Sequence, residues 1–331
     1  MKKNLKTEQE IMQNWKGDVV VSICCLAYNH EKFIEDALEG FLIQETNFPF
    51  EILIHDDAST DNTANIIREY EKAYPHIIKP IYQKENQFSK FVNIFSKYQI
   101  SRAKGLFIAM CEGDDYWINK LKLQKSVDFL ENNKDYSACA HDVVVIDENN
   151  KLKEETLFGN YHEDLLTIDD QIKYNNLPSL SLVFRKKCFD PELFIKLKKN
   201  NKYIGDIQLK SMILSQGKIK YFKEKMGTYR WINSGGESFS SQKRYIILLD
   251  SIYAYLNVYQ YLLSNKKNKL LDYKLYELIK EYISLCKKNN DKEAVNKLCL
   301  NLQERKVYKK LLLNYIMISL TPKFLRKYLY R

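Results

Sequence analysis

Three carboxylates fall within four residues at Glu112, Asp114 and Asp115, directly after the apolar run Leu106-Phe107-Ile108-Ala109-Met110. A strand that ends in such a cluster aims its acids at the carboxyl edge of a sheet, where open α/β sheets place their ligands. Like charges this close need a cation or strong donors to compensate them. An all-oxygen set suits Mg2+ or Mn2+, held by one or two carboxylates and a substrate's phosphates. The plain alternative is that Asp115 caps a helix beginning after Trp117. A second acidic pair, Asp56-Asp57, closes the short strand Glu51-Ile52-Leu53-Ile54-His55 in the same way. Its plain alternative is an Asx turn leading into a helix. Two strand-terminal clusters in one doubly wound sheet converge on one crevice. One would read a nucleotide's base or ribose, and the other would hold a cation on its phosphates. A third acid, Asp206, follows Tyr203-Ile204-Gly205 and opens a helix; on residues alone it reads as that helix's cap.

The elements that must position these acids follow from periodicity. Val19–Leu26 is an unbroken β-favouring run, as expected of a strand buried on both faces of a parallel sheet. Phe33, Ile34, Ala37, Leu38, Phe41 and Leu42 predict a helix, and Glu51–His55 a second strand. Ser59-Thr60-Asp61-Asn62-Thr63 starts another helix, which Pro75 stops before a third strand over Ile77–Tyr82. This β-α-β-α-β order implies parallel strands with right-handed crossovers. Gln83–Gln99 reads as irregular, Lys120–Asn132 and Thr167–Asn175 as helices, and Ser137–Ile146 and Leu180–Arg185 as strands. Lys218–Arg230 reads as a strand pair or a strand and loop. Three helix-period segments rich in Leu, Tyr and Lys follow from Tyr245 onward.

Composition narrows the class. The 331 residues are 45% hydrophobic, enough for a large domain with an appendage. Seven cysteines form no CxxC pair, so they read as buried thiols in a reducing compartment; five scattered histidines argue against zinc. No signal peptide or membrane-spanning run is visible, which points to a cytoplasmic location. The net charge of +10 is uneven: residues 241–331 carry 19 basic and 7 acidic side chains, residues 1–240 carry 33 and 35. A boundary near Gly235-Gly236 follows, with an arm over 1–18, a main domain over 19–236 and a basic helical region over 237–331. Within the main domain, 19–117 would be the nucleotide half and 118–236 the acceptor half. The tail after Glu304 has no acid, and an apolar run at 311–320 sits among its basic residues. Residues 306–331 therefore suit an interfacial helix on an anionic membrane surface, or a helix packed on the main domain. No GxGxxG or Gly-rich phosphate loop follows the first strand, which disfavours a dinucleotide oxidoreductase or a sugar nucleotidyltransferase. No nucleic-acid-binding motif is present, and acid clusters argue against such a surface; a non-catalytic module using the basic tail is the remaining alternative.

In order, Val21-Ser22-Ile23-Cys24-Cys25-Leu26-Ala27-Tyr28-Asn29, Ile54-His55-Asp56-Asp57-Ala58-Ser59-Thr60-Asp61 and Ala103-Lys104-Gly105-Leu106-Phe107-Ile108-Ala109, before Glu112-Gly113-Asp114-Asp115, resemble the family 2 glycosyltransferases. The resemblance covers roughly residues 18–235 and implies a GT-A fold, an α/β architecture with a mostly parallel central sheet and flanking helices, here with a C-terminal helical region. It implies a nucleotide-sugar donor, usually UDP-linked, and a glycan or lipid-linked acceptor, with work peripheral to the cytoplasmic face of the inner membrane. By this resemblance, Ala27, Tyr28 and Asn29 line the nucleotide, Asp57 with Asp56 meets the uracil or ribose, and Asp61 belongs to the nucleotide-sugar site. Glu112, Gly113 and Asp114 stand at the family's Asp-x-Asp, with Asp114 and then Glu112 as Mn2+ or Mg2+ ligands. Asp115 is left to begin the next helix. Asp206 falls at the general base, and Arg230 lies near the donor phosphates or acceptor. Such a transfer would invert the anomeric centre by direct displacement. Ala58 stands where the family has Gly, so the turn after Asp57 is expected to avoid positive φ. Ser96-Lys97 replaces a common Arg-Asn pair, and His30 and His141 read as structural.

Overall fold

The computed structural model describes residues 5–90, 93–156, 165–174, 177–201, 205–232, 244–262 and 269–304. The chain forms two units, Met1–Ile195 with Leu209–Ser241, and Lys196–Gln208 with Gln242–Arg331. Tyr203, Ile204, the Gly235-Gly236 boundary and the tail 306–331 lie outside the described residues.

The first unit is built on one sheet. Its strands are β1 (Val21–Ala27), β2 (Phe50–Asp56), β3 (Ile78–Tyr82), β4 (Phe107–Met110), β5 (Tyr116–Trp117), β6 (Tyr136–Asp147), β7 (Leu152–Glu154), β8 (Leu165–Leu166), β9 (Val183–Arg185) and β10 (Lys218–Trp231). They lie in the order β3-β2-β1-β4-β9-β6-β10-β5, with β7 on β6 and β8 on β10. The expected parallel half is present: β3, β2, β1 and β4 run parallel, with Ala27 beside Asp56. β9 then enters antiparallel between β4 and β6, and β6 and β10 run parallel to each other. Leu180–Arg185 is thus not one strand. A 3-10 turn, Ser179–Ser181, precedes a short β9. Lys218–Arg230 is a single long strand whose register shifts against β6, since bulges let one strand absorb bends that would otherwise need a turn.

The helices are α1 (Glu8–Met12), α2 (Ile34–Leu42), α3 (Thr63–Ala73), α4 (Lys122–Asn132), α5 (Ile168–Tyr174), α6 (Pro191–Leu197), α7 (Asp206–Gln216), α8 (Arg244–Tyr261), α9 (Lys269–Lys288) and α10 (Lys292–Glu304). The continuous apolar character of β1 and β2 fits their near-complete burial. One buried polar link is fully used. Ser22 donates to Glu51 at 2.7 Å, Gly105 N–H donates to Ser22 Oγ, and Lys104 N–H donates to Glu51 Oε1. That link ties β1 and β2 to the start of β4, satisfying groups that would be costly alone. On the other side, a Cβ at Gly40 would stand 2.8 Å from the backbone N and O of Trp117. Glycine there lets α2 lie directly on β5, the strand that continues from the acidic loop. In the second unit, α8 and α9 pack closely and bury Leu256, Val258, Leu271, Leu275 and Ile279. Among the described residues no helix is long and apolar enough to cross a membrane.

Candidate active site

The carboxyl ends of β1, β2 and β4 meet at one edge. Asp57 N–H donates to Ala27 O at 2.9 Å, and Gly113 N–H donates to Leu26 O at 2.9 Å. The loop after β1 is therefore bonded at its root to both acid-bearing loops. It is also stitched to the start of α3. Asn29 N–H donates to Ser59 Oγ, Thr60 N–H to Asn29 Oδ1, His30 N–H to Thr63 Oγ1 and Glu31 N–H to Asp61 Oδ2. Asn29 sits at φ 56°, a conformation asparagine tolerates. Asp61 also accepts from Thr63 N–H. Burial opposes its charge, but these bonds hold its carboxyl below the usual range. Asp61 thus ties the loop after β1 to α3, while Tyr28 is half-buried beside it and Ala27 is buried.

The two neighbouring acids at the end of β2 divide the work. Asp57 accepts from Gln87 N–H at 2.8 Å and Phe88 N–H at 3.0 Å, and faces buried His55 Nε2 at 3.3 Å. Burial works against its charge, yet His55 and the two amides outweigh it and hold the carboxyl below the usual range. It fixes the segment after β3. Asp56 is also buried, and its Oδ1 has no partner among the described residues. Burial raises its pKa, with bonds to Ser59 opposing. An orphaned buried acceptor at a sheet's carboxyl edge is a polar group awaiting a donor. The turn after them corrects the sequence expectation: Ala58 adopts φ 63° without being glycine. The bonds of Asp57 on one side and Ser59 on the other over-determine the turn, and local strain is tolerated where the surroundings fix it.

In the acidic loop, Glu112 is exposed, and the Asp114 side chain is 16% exposed. Asp115 departs from expectation. It starts no helix; α4 begins at Lys122, and Asp115 is buried, its Oδ1 accepting from Arg230 N–H at 2.7 Å. Burial, then Asp114, pushes its carboxyl well above the usual range. Arg230 is the counterpart. Its side chain is only 1% exposed and its guanidinium donates to the carbonyl oxygen of Asp114, to Asp36 Oδ2 at 3.1 Å and to Asn150 Oδ1 at 2.8 Å. It lies over Phe33 at 4.5 Å and Tyr116 at 5.3 Å. That planar fork holds the acidic loop against α2 and the turn after β6, a role only Arg's geometry fills. Asp36 and Asn150 carry no signal in sequence for this role, because nothing local marks a partner 194 residues away.

The chemistry of the donor set fits a hard divalent cation. Glu112 and Asp114 offer carboxylate oxygens on one loop, as such a cation needs when phosphates complete its shell. Among the described residues no three His, Cys, Asp or Glu side chains form a ready cage. Asp206 is the first residue of α7 and belongs with the second unit, whereas Leu209 onward belongs with the first. Within the second unit its charge acts on Lys198 and on the buried Tyr255, whose hydroxyl burial and Asp206 push up.

An acid-lined carboxyl edge on this sheet is the architecture of GT-A glycosyltransferases. The model of glycosyl transferase family 2 matches residues 22–189, just over half of the chain, and the chain belongs to that family. It is 37% identical over 169 residues to the protein Rv1520 of Mycobacterium tuberculosis, covering 50% of this chain and 47% of that one. It is 34% identical over 115 residues to the Escherichia coli UDP-Glc:alpha-D-GlcNAc-diphosphoundecaprenol beta-1,3-glucosyltransferase WfaP, covering 35% of this chain and 43% of that protein. The chain thus spans about half the length of the curated relatives it matches. The fold is shared with the crystal structure of S. aureus TarS 1–349 in complex with UDP-GlcNAc, at TM-score 0.57 and 18% identity, over 94% of this chain and 86% of that chain.

Proposed function

We propose that the protein transfers a sugar from a nucleotide-sugar, a UDP-sugar, to a hydroxyl of a glycan or lipid-linked acceptor, with a divalent cation and inversion at the anomeric carbon. The observation that carries this reading is the joining of the loops after β1, β2 and β4 at one carboxyl edge, with Asp56 Oδ1 unpartnered among the described residues and the Asp114 side chain partly open. UDP and a lipid-linked acceptor are supported by the likeness to WfaP, a UDP-Glc:alpha-D-GlcNAc-diphosphoundecaprenol glucosyltransferase. The domain division at residue 236 and membrane contact through 306–331 belong to the same proposal.

Each residue then has a task. Ala27, Tyr28 and Asn29 form the wall of the nucleotide site. Asp56 takes a donor from the base or ribose, while Asp57 and Asp61 hold the surrounding loops. Gly113 keeps the acidic loop thin, and Asp114 with Glu112 would hold Mn2+ or Mg2+. The chemistry such a cation would supply there is Lewis-acid neutralisation of the leaving nucleoside diphosphate. Arg230 fixes the loop that carries these ligands. Asp206 acts as base, taking the acceptor hydroxyl proton as the oxygen attacks the sugar. With one displacement and no covalent sugar on the enzyme, the configuration inverts. Asp206→Asn is expected to keep UDP affinity within about twofold and to lower turnover by at least about a hundredfold. A near-normal rate removes Asp206 as the base.

A further inference from the structure

His30 stands beside the acidic loop in a way its sequence position does not suggest. Its Nε2 lies 4.0 Å from Asp114 Oδ2, and the side chain is 18% exposed. Its other ring nitrogen, Nδ1, is buried without a hydrogen-bond partner among the described residues. A Cβ on Gly113 would stand 2.9 Å from that Nδ1, so the ring rests on the glycine of the loop. The backbone is equally fixed, since His30 N–H donates to Thr63 Oγ1 at 2.7 Å. Nε2 is thus presented toward the Asp114 carboxylate from a different loop.

A separation of 4.0 Å is too long for a hydrogen bond. It lies within the span of two ligands to one cation, each bonded at about 2.0–2.2 Å. Glu112, by contrast, is exposed. We propose that His30 Nε2 and Asp114 Oδ2 together seat the divalent cation, with Glu112 contributing less than either. This rests on the reading of Asp114 as a cation ligand and adds a nitrogen to what was an all-oxygen set. Mg2+ is the harder ion and holds to oxygen ligands, whereas Mn2+ accepts an imidazole nitrogen more readily, so the pair raises the preference for Mn2+ over Mg2+.

The test uses the full chain with Mn2+ and UDP as probes. Mn2+ affinity is measured by the free-ion EPR signal for the wild type and for His30→Gln, Glu112→Gln and Asp114→Asn. His30→Gln is expected to weaken Mn2+ binding by about tenfold or more, to lower the Mn2+ over Mg2+ preference, and to exceed the effect of Glu112→Gln. Pulsed EPR of wild-type protein with Mn2+ and UDP is expected to show nitrogen hyperfine coupling from a bonded imidazole, so the result does not depend on the variant's folding. Absence of that coupling, with Asp114→Asn still abolishing binding, overturns the role of His30 and leaves the cation site standing. If Asp114→Asn binds Mn2+ as the wild type does, or the wild type binds none, the cation reading itself falls and this inference with it.

Discussion

Adjacent residues of one type do different work here, and the partners each carboxylate finds decide which. Asp56 and Asp57 share a strand end, yet Asp57 is occupied by His55 and two backbone amides while Asp56 keeps an oxygen unpartnered among the described residues. Asp114 and Asp115 divide similarly, one partly open and one buried on Arg230 N–H. Alternation of inward and outward side chains makes such neighbours unequal, and sequence alone cannot say which faces in when the run is a loop. Ala58 is the other residue-scale surprise. Left-handed backbone costs an L-residue about 1–2 kcal/mol, so φ 63° at Ala58 stores strain that glycine would release. Ala58→Gly is expected to stabilise the protein by up to about 1 kcal/mol, after the loss of unfolded-state rigidity, and Ala58→Val to destabilise it. Denaturant midpoints of the three proteins check this; a lower midpoint for Ala58→Gly contradicts the strain.

At the scale of elements, α4 meets the sheet through a buried cation. Lys122 is fully buried, its amine has no hydrogen-bond partner among the described residues, and it lies 4.1 Å above the Trp117 ring. Burial lowers its pKa to about 7, against about 10.4 in an unfolded chain. Between those values the unfolded chain binds a proton that the folded one does not, so stability rises with pH across that window and is lost as pH falls toward 7. The Trp117 face offsets part of the burial cost. Lys122→Met should therefore raise the melting temperature at pH 7 and flatten its rise between about pH 7 and 10; an unchanged profile contradicts the assignment. The elements themselves were largely legible. Continuous apolar runs marked β1 and β2, and helical spacing marked α2 and α3, because local pattern dictates parallel core strands and amphipathic helices. The antiparallel insertion of β9 and the clamp from Arg230 to Asp36 were not, since both depend on partners far along the chain. The placement of the acid clusters at strand ends was legible; their division of labour and the position of His30 were not.

For the molecule as a whole, the segment that leads to Asp206 is held by the helices after it. Asn257, buried in α8, donates through its amide to Leu197 O and Lys199 O at 2.8 Å each and to Asn201 Oδ1 at 3.2 Å. Asn257→Ala leaves these carbonyls unpaired, at a cost of about 1–3 kcal/mol. It should slow transfer while leaving UDP affinity unchanged, if Asp206 acts on the acceptor and not on the nucleotide. The central claim, that the edge built by β1, β2 and β4 binds a nucleotide-sugar through Asp114 and a cation, has a direct measurement. Calorimetric titration of UDP-sugars into the full chain with Mn2+ should give saturable binding for at least one sugar, lost on chelation and lost in Asp114→Asn. Binding that survives both chelation and Asp114→Asn, or no binding by any UDP-sugar to the wild type with Mn2+, would contradict it.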